Sequence, residues 1–122
     1  MSSEQNKVIV RRLIDVATAK REELMEKPYT HTTWRVRAGS EDEFVRRWSE
    51  WVDWSHREGL EAPALLLRDL ENPQAFISFG PWANMAAVRN WRALAGYQER
   101  VARLSEVLDS FEPRTLEIVA RR

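Results

Sequence analysis

The chain has 122 residues, the size of one ordinary domain, and its 43% hydrophobic and 31% charged residues are typical of a folded globular protein. Its 19 lysines and arginines are balanced by 19 acidic residues, so it lacks the basic excess that binding to nucleic acid or to an anionic membrane requires. It has no cysteine, which excludes disulfides and cysteine-ligated metals, and it has no long apolar stretch near its N-terminus, so we expect a cytoplasmic protein.

The first 28 residues are expected to form a helical extension in front of the main domain. Apolar residues recur at roughly helical spacing over residues 5–26, where there is no glycine or proline, and Pro28 ends the pattern. All the lysines of the chain lie before this proline, whereas the later cationic side chains are arginines. The change in composition predicts an extension at residues 1–28 and a domain at residues 29–122.

A strand and a helix are predicted next. Apolar and polar residues alternate over residues 30–38, which places Trp34 on one face of a strand. Ser40 and Glu43 then form a capping-box pattern, which predicts a helix over residues 41–58.

Three tryptophans stand three residues apart in the second half of this helix, in the stretch WSEWVDWSH. At about 100° per residue, Trp48 and Trp51 fall inside the apolar arc, and Trp54 falls at its edge. Ser55 projects near the middle of the arc, where a large side chain is expected. Two explanations stay open: the sheet comes close to the helix at Ser55, or the tryptophans roof a cavity there.

The next two segments, residues 64–70 and 75–80, read as a hairpin whose strands are apolar on both faces. An antiparallel sheet covered by one layer of helices normally has a polar outer face. We therefore expect a second subunit to cover the outer face of this sheet.

Two helices, over residues 85–94 and 97–109, and a last strand over residues 114–120 complete the pattern. The order after Pro28 is strand, helix, strand, strand, helical segment, strand. This order predicts an α+β, ferredoxin-like split βαβ fold with a four-stranded antiparallel sheet.

Over residues 30–120 the chain resembles the antibiotic biosynthesis monooxygenase family. The resemblance rests on the strand ending at Gly39, the acidic helix with an early Phe44, the Asn72-Pro73 turn, and Trp82 after the third strand with Trp91 on the next helix. It implies a homodimer, the dimeric α+β barrel, with one pocket per subunit between sheet and helices. The family includes cofactor-free oxygenases of quinols and phenols, haem-degrading enzymes, and members of no known activity.

The residues that are typical of the oxygenase and haem-degrading branches of the family are only partly present in this chain. Trp82 matches the family's pocket tryptophan, whereas the asparagine and tyrosine of the polyketide-tailoring oxygenases correspond to Ser78 and Val88. The asparagine of the haem-degrading branch falls near Thr32, but the helix after Trp82 has no histidine to bind haem, which argues against haem degradation.

Few side chains qualify as catalytic groups, and each has an ordinary structural explanation as well. The catalytic candidates are His56, Tyr97 and Ser78. His56 is also what a helix C-terminus commonly holds, and Tyr97 could belong to the core. The candidate substrate-binding residues are Trp82, Trp54, Trp34, Thr32 and Ser55. The two histidines are far apart and show no metal-binding spacing, so we expect neither metal nor other cofactor.

Two functions remain open at this stage. The first is a homodimeric monooxygenase that binds a small quinol or phenol and oxidises it with O2 without metal or flavin. The second is a non-catalytic ligand-binding or assembly module of the same fold, which the extra N-terminal segment slightly favours.

Overall fold

A computed structural model describes residues 27–122 of the chain. The predicted helix over residues 5–26 lies outside these described residues. The elements in chain order are β1 (Tyr29–Val36), α1 (Glu41–Arg57), β2 (Leu65–Arg68), β3 (Ala75–Pro81), α2 (Met85–Ala93), α3 (Ala95–Ser105) and β4 (Leu108–Leu116). None of the helices among them is both long and apolar enough to cross a membrane.

The strands form one antiparallel sheet in the order β2-β3-β1-β4, and the three helices belong to a ferredoxin-like α+β fold. The predicted fold class is therefore confirmed. The alternation expected for the first strand is present, since Thr32, Trp34 and Val36 are buried whereas Thr33 and Arg35 are exposed.

The strand register aligns the helix-facing side chains in rows across the sheet. Thr32 of β1 is paired with Ser78 of β3 on one side and with Pro113 of β4 on the other. In the next row Trp34 lies between Phe76 and Phe111. A row with two hydroxyl side chains, those of Thr32 and Ser78, therefore runs beside an aromatic row on the face that the helices cover.

Helix α1 supplies much of the core through the stripe predicted from its sequence. Its buried residues are Phe44, Trp48, Trp51, Val52, Trp54 and Ser55. The ring of Trp34 lies 5.3 Å from that of Phe44 and 5.8 Å from that of Trp51, measured between centroids. Aromatic packing therefore joins this helix to the middle of the sheet.

The last strand differs from the sequence prediction. Helix α3 ends at Ser105, and β4 spans Leu108–Leu116 with Pro113 inside it, whereas the sequence placed a helix up to residue 109 and a strand only after the proline. The physical reason is the position of β4 at the edge of the sheet. An edge strand tolerates a proline because some of its N–H groups have no neighbouring strand to bond.

The start of α1 also differs in detail. Ser40 is the N-cap residue, but its side chain makes no capping hydrogen bond. Glu43 instead accepts hydrogen bonds from Arg46 and Arg47, and these bonds, that of Arg46 first, lower the pKa of Glu43 from 4.5 to about 2. The predicted capping box is therefore wrong, because two guanidinium groups compete for its carboxylate.

The outer face of the sheet, which the helices do not cover, carries exposed apolar side chains. Leu65, Leu67 and Ile77 expose 43%, 50% and 42% of their surface, and Leu67 is paired with Ile77 across β2 and β3. The expectation of strands that are apolar on both faces therefore holds for this hairpin.

Candidate functional site

A concavity lies between the helix-facing side of the sheet and the three helices. It encloses about 540 Å³ of empty space when its opening to solvent is included, and the centre of a water molecule can reach about 30 Å³ of it, room for a small number of water molecules. Phe111 and Pro113 of the edge strand are the exposed parts of its lining. An aromatic ring would therefore have to lie in the mouth beside β4 or displace side chains further in.

Indole rings and hydroxyl groups dominate the lining of this cavity. The indoles belong to Trp34, Trp48, Trp51 and Trp91, and the hydroxyls belong to Thr30, Thr32, Ser55, Ser78 and Tyr97. Arg92 is the one charged side chain in the lining, which contains no histidine, aspartate or glutamate among the described residues. The cavity therefore suits a flat aromatic ligand that carries hydrogen-bonding oxygen.

Three indoles near the cavity each donate their N–H to a serine or threonine hydroxyl. Trp34 Nε1 donates to Ser78 Oγ at 2.8 Å, and Trp82 Nε1 donates to Thr30 Oγ1 at 2.9 Å. Trp91 Nε1 donates to Ser55 Oγ at 3.0 Å. The tryptophans thus orient the hydroxyl groups that line the cavity.

The three hydroxyl groups differ in whether their own hydrogen is still available to donate. Ser55 Oγ also donates to the carbonyl oxygen of Trp51 at 2.8 Å, so its hydrogen is already used. Ser78 Oγ and Thr30 Oγ1 accept from indoles, and each keeps its own hydrogen as a donor. A ligand oxygen in the cavity can therefore accept a hydrogen bond from Ser78 or Thr30.

The other two indoles of the lining have no such partner. Trp48 Nε1 and Trp51 Nε1 are buried, and within residues 27–122 neither finds a hydrogen-bond acceptor. Each of these side chains exposes only 8% of its surface.

Five of the residues predicted from the sequence lie together in this lining: Ser78, Thr32, Trp34, Ser55 and Tyr97. The strand register explains the first three, since Thr32 is paired with Ser78 and Trp34 is on the same face. Tyr97 belongs to α3, and its ring lies 4.6 Å from that of Trp91. The structure therefore brings these predicted residues to one place, although their roles stay predictions.

Three predicted residues lie elsewhere. His56 is exposed at the end of α1, and its Nδ1 lies 2.9 Å from the carbonyl oxygen of Leu60. Trp54 lines a separate polar groove, where the guanidinium of Arg100 lies 4.3 Å from its ring. Trp82 is fully buried behind Trp91, with 4.7 Å between the two rings, and does not line the cavity.

From the sequence, Trp48 and Trp51 are expected either to pack on the sheet or to roof a cavity, whereas Trp91 and Thr30 are given no role in binding. The helical arc did place Trp48 and Trp51 on the buried face, but it carries no information about where an indole N–H finds an acceptor. For Thr30, the alternation of β1 was a usable signal, because Thr30 shares a face with Thr32 and Trp34.

Within the described part of the chain, no three histidine, aspartate or glutamate side chains come together in a way that could hold a metal ion.

Comparison with known proteins gives one family match. Residues 29–103 match the model of the antibiotic biosynthesis monooxygenase family. A search of curated protein sequences finds no match.

Solved structures with the same fold are distant in sequence. SnoaB from Streptomyces nogalater, a cofactor-independent oxygenase, superposes with a TM-score of 0.68 at 18% identity, covering 80% of this chain and 95% of SnoaB. PA3566 from Pseudomonas aeruginosa gives a TM-score of 0.64 at 17% identity, covering 78% and 96%. A conserved protein from Methanosarcina mazei Go1 gives 0.65 at 19% identity, covering 75% and 91%.

Proposed function

Because this chain belongs to the antibiotic biosynthesis monooxygenase family, we propose that it binds a small quinol or phenol between sheet and helices and oxidises it with O2 without metal or flavin. The observation that carries the proposal is the composition of the cavity, where four indoles surround the hydroxyls of Thr32, Ser78 and Tyr97. The distant similarity to SnoaB, a cofactor-independent oxygenase, supports the same reaction class.

The proposed reaction converts a methylene of an anthrone-type phenol to a carbonyl. The substrate first loses a proton, and its electron-rich anion then passes an electron to O2. Two C–H bonds are broken, one oxygen atom enters the product as C=O, and the other leaves as water. The substrate supplies all four electrons, so no external reductant is required.

The side chains of the cavity divide the remaining work. Ser78 donates its hydroxyl hydrogen to the substrate oxygen, because its oxygen only accepts from Trp34 and the hydrogen stays available. Tyr97 is half-buried in the lining and carries protons between substrate and solvent. His56 takes no part in this proposal, because its ring lies outside the cavity lining.

A second candidate function is favoured by the absence of any carboxylate or imidazole from the cavity lining among the described residues. A general base usually comes from one of these groups. Without one, the same cavity serves a non-catalytic module that binds a small aromatic ligand.

Oxygen uptake distinguishes the two functions. We expect purified protein to consume O2 above the autoxidation background with one or more members of a panel of hydroquinones and anthrone-type phenols, with no cofactor added. Tyr97→Phe is expected to reduce the rate about 100-fold, which is typical of losing a proton-transferring group. His56→Gln serves as the matched control and should leave the rate unchanged.

Uptake at background for every compound, by protein that is folded, would contradict the oxygenase and favour the binding module. If the rate falls equally in Tyr97→Phe and His56→Gln, the cavity is not the site of the reaction.

The proposal includes a homodimer formed through the outer face of the sheet. The exposed Leu65, Leu67 and Ile77 form an apolar surface there, and burying it against a second copy removes that surface from water. Light scattering should give twice the chain mass of 14.4 kDa. Ile77→Glu should halve that mass, and Leu70→Glu, at a leucine 95% exposed and outside β2, should not.

A further inference from the structure

The donors and acceptors around the cavity do not balance. Indole N–H groups are donors only, and five of them lie in or beside the lining. Three find hydroxyl acceptors, whereas those of Trp48 and Trp51 find none within residues 27–122. A buried donor without an acceptor destabilises a fold by about 1–3 kcal/mol, so these two N–H groups call for a partner that the described protein atoms do not provide.

The cavity is where such a partner can lie. Trp48 and Trp51 both line it, and they are three residues apart on α1, so their side chains are neighbours on the same helix face. The surrounding rings of Trp34, Trp91 and Phe111 are apolar. Both donors that lack an acceptor within residues 27–122 therefore belong to side chains that line the cavity.

We propose that Trp48 and Trp51 form a two-donor site for the carbonyl or phenolate oxygen of an aromatic ligand. The inference rests on the proposed function insofar as the ligand occupies the same cavity. Because an indole N–H can only donate, the two groups favour a ligand oxygen that accepts hydrogen bonds, and they disfavour an ammonium group, which has no lone pair to accept with. The pair therefore selects oxygen-bearing rings over plain hydrocarbons of the same shape.

Water is the simplest rival occupant, since its centre can reach about 30 Å³ of the cavity. A water molecule satisfies both indoles equally well in the absence of ligand. If water stays bound to the two indoles, ligands with and without a carbonyl should bind equally well. A preference for the carbonyl arises only if the ligand displaces the water and accepts from the same two donors. A matched pair of ligands separates these cases.

The experiment uses the indole N–H signals of 15N-labelled protein, with six tryptophans in the chain. Triple-resonance spectra of the wild-type protein, labelled with 13C and 15N, assign the Trp48 and Trp51 signals. The protein is titrated with 1-indanone and, separately, with indane, which has the same bicyclic skeleton with CH2 in place of the carbonyl. We expect 1-indanone to move the Trp48 and Trp51 proton signals downfield along one saturation curve, and indane to produce no downfield shift.

Affinity gives an independent readout on the same ligand pair. Each Trp→Phe variant should weaken the binding of 1-indanone about 3- to 10-fold, the usual effect of one neutral hydrogen bond, and leave that of indane within about twofold. Trp54→Phe is the matched control, because Trp54 is on the same helix but outside the cavity lining, and it should leave both affinities unchanged.

The inference is overturned if 1-indanone shifts neither signal, or if the Trp48→Phe and Trp51→Phe variants weaken both ligands equally, as a purely structural role would. The first readout uses wild-type protein, so a variant that fails to fold does not remove the test. Downfield shifts without oxygen uptake would support the donor role of Trp48 and Trp51 and contradict the oxygenase. Oxygen uptake with unshifted signals would support the oxygenase and contradict the donor role.

Discussion

The hydrogen bond between Trp34 and Ser78 allows the energetics of the cavity wall to be measured. Trp34 exposes 2% of its surface and Ser78 exposes 6%, and Trp34 Nε1 donates to Ser78 Oγ at 2.8 Å. Ser78→Ala removes the acceptor and leaves a buried indole N–H unpaired, which costs about 1–3 kcal/mol. Because a water molecule has room in the adjoining cavity, we expect the lower half of this range, about 1–2 kcal/mol.

Urea unfolding followed by far-ultraviolet circular dichroism measures this loss without relying on tryptophan fluorescence. With an m value of about 1–2 kcal/mol per M for a domain of this size, the midpoint should fall by about 1 M. All variants are compared at one protein concentration, because self-association makes the midpoint depend on concentration. Ser49→Ala is the control: its hydroxyl is exposed and bonds only the carbonyl of Val45, so its effect should stay within about 0.5 kcal/mol.

A double-mutant cycle isolates the bond itself. In a Trp34→Phe background the indole N–H is absent, so Ser78→Ala should cost little, and the coupling energy should be about 1 kcal/mol or more. If Ser78→Ala lowers stability by the same amount in both backgrounds, the effect comes from packing alone, and the hydrogen bond has no energetic role.

Further predictions concern the elements around the cavity. Gly96→Ala places a Cβ 2.8 Å from the ring of Trp54 and should destabilise the protein by about 1–3 kcal/mol. In a Trp54→Leu background the same change should be neutral or stabilising, since alanine is the better helix former; a loss unchanged in that background would contradict the steric explanation. Glu43, with its pKa lowered to about 2, contributes stability that is present above its ordinary pKa of 4.5 and is lost as the pH falls towards 2. The urea midpoints of wild type and Glu43→Gln should therefore differ at pH 7 and converge near pH 2, and a difference independent of pH would refute this. Asn84 caps α2 by accepting from the N–H of Ala87 at 2.9 Å. Asn84→Ala should therefore lower the free energy of unfolding by about 1 kcal/mol, and with it the thermal midpoint; an unchanged midpoint would contradict the cap.

The fold was predictable because its signals are local. Alternation in β1 and helical spacing in α1 place Trp34 and Trp48 on buried faces without any knowledge of the tertiary structure. The edge position of β4 depends on the tertiary structure. The last strand was therefore predicted to begin after Pro113, whereas Pro113 lies within it. A proline in a sequence cannot show whether its strand has one neighbour or two.

The cavity was only partly predictable for a related reason. Parity along a strand places Thr32 and Ser78 on the helix-facing side, and the register brings them together. A helix, by contrast, turns about 100° per residue, so Trp51 and Trp54 differ by about 60° and meet different surroundings. Trp51 faces the cavity, whereas Trp54 packs beneath Arg100. The sequence places Trp51 inside the apolar arc and Trp54 at its edge, but it does not show which surroundings each side chain meets.

The stability of the Trp34–Ser78 pair also bears on the ligand-binding role of the two unpaired indoles. Trp48 and Trp51 favour a ligand oxygen only if an unpaired buried N–H destabilises the protein in this cavity. Ser78→Ala creates another unpaired indole in the same lining, so its measured cost calibrates that assumption. A cost near zero would mean that water satisfies the indole N–H groups in this cavity, and Trp48 and Trp51 would then need no acceptor from a ligand. A cost above about 1 kcal/mol would mean that an acceptor supplied by a ligand contributes a comparable free energy of binding at each of the two donors.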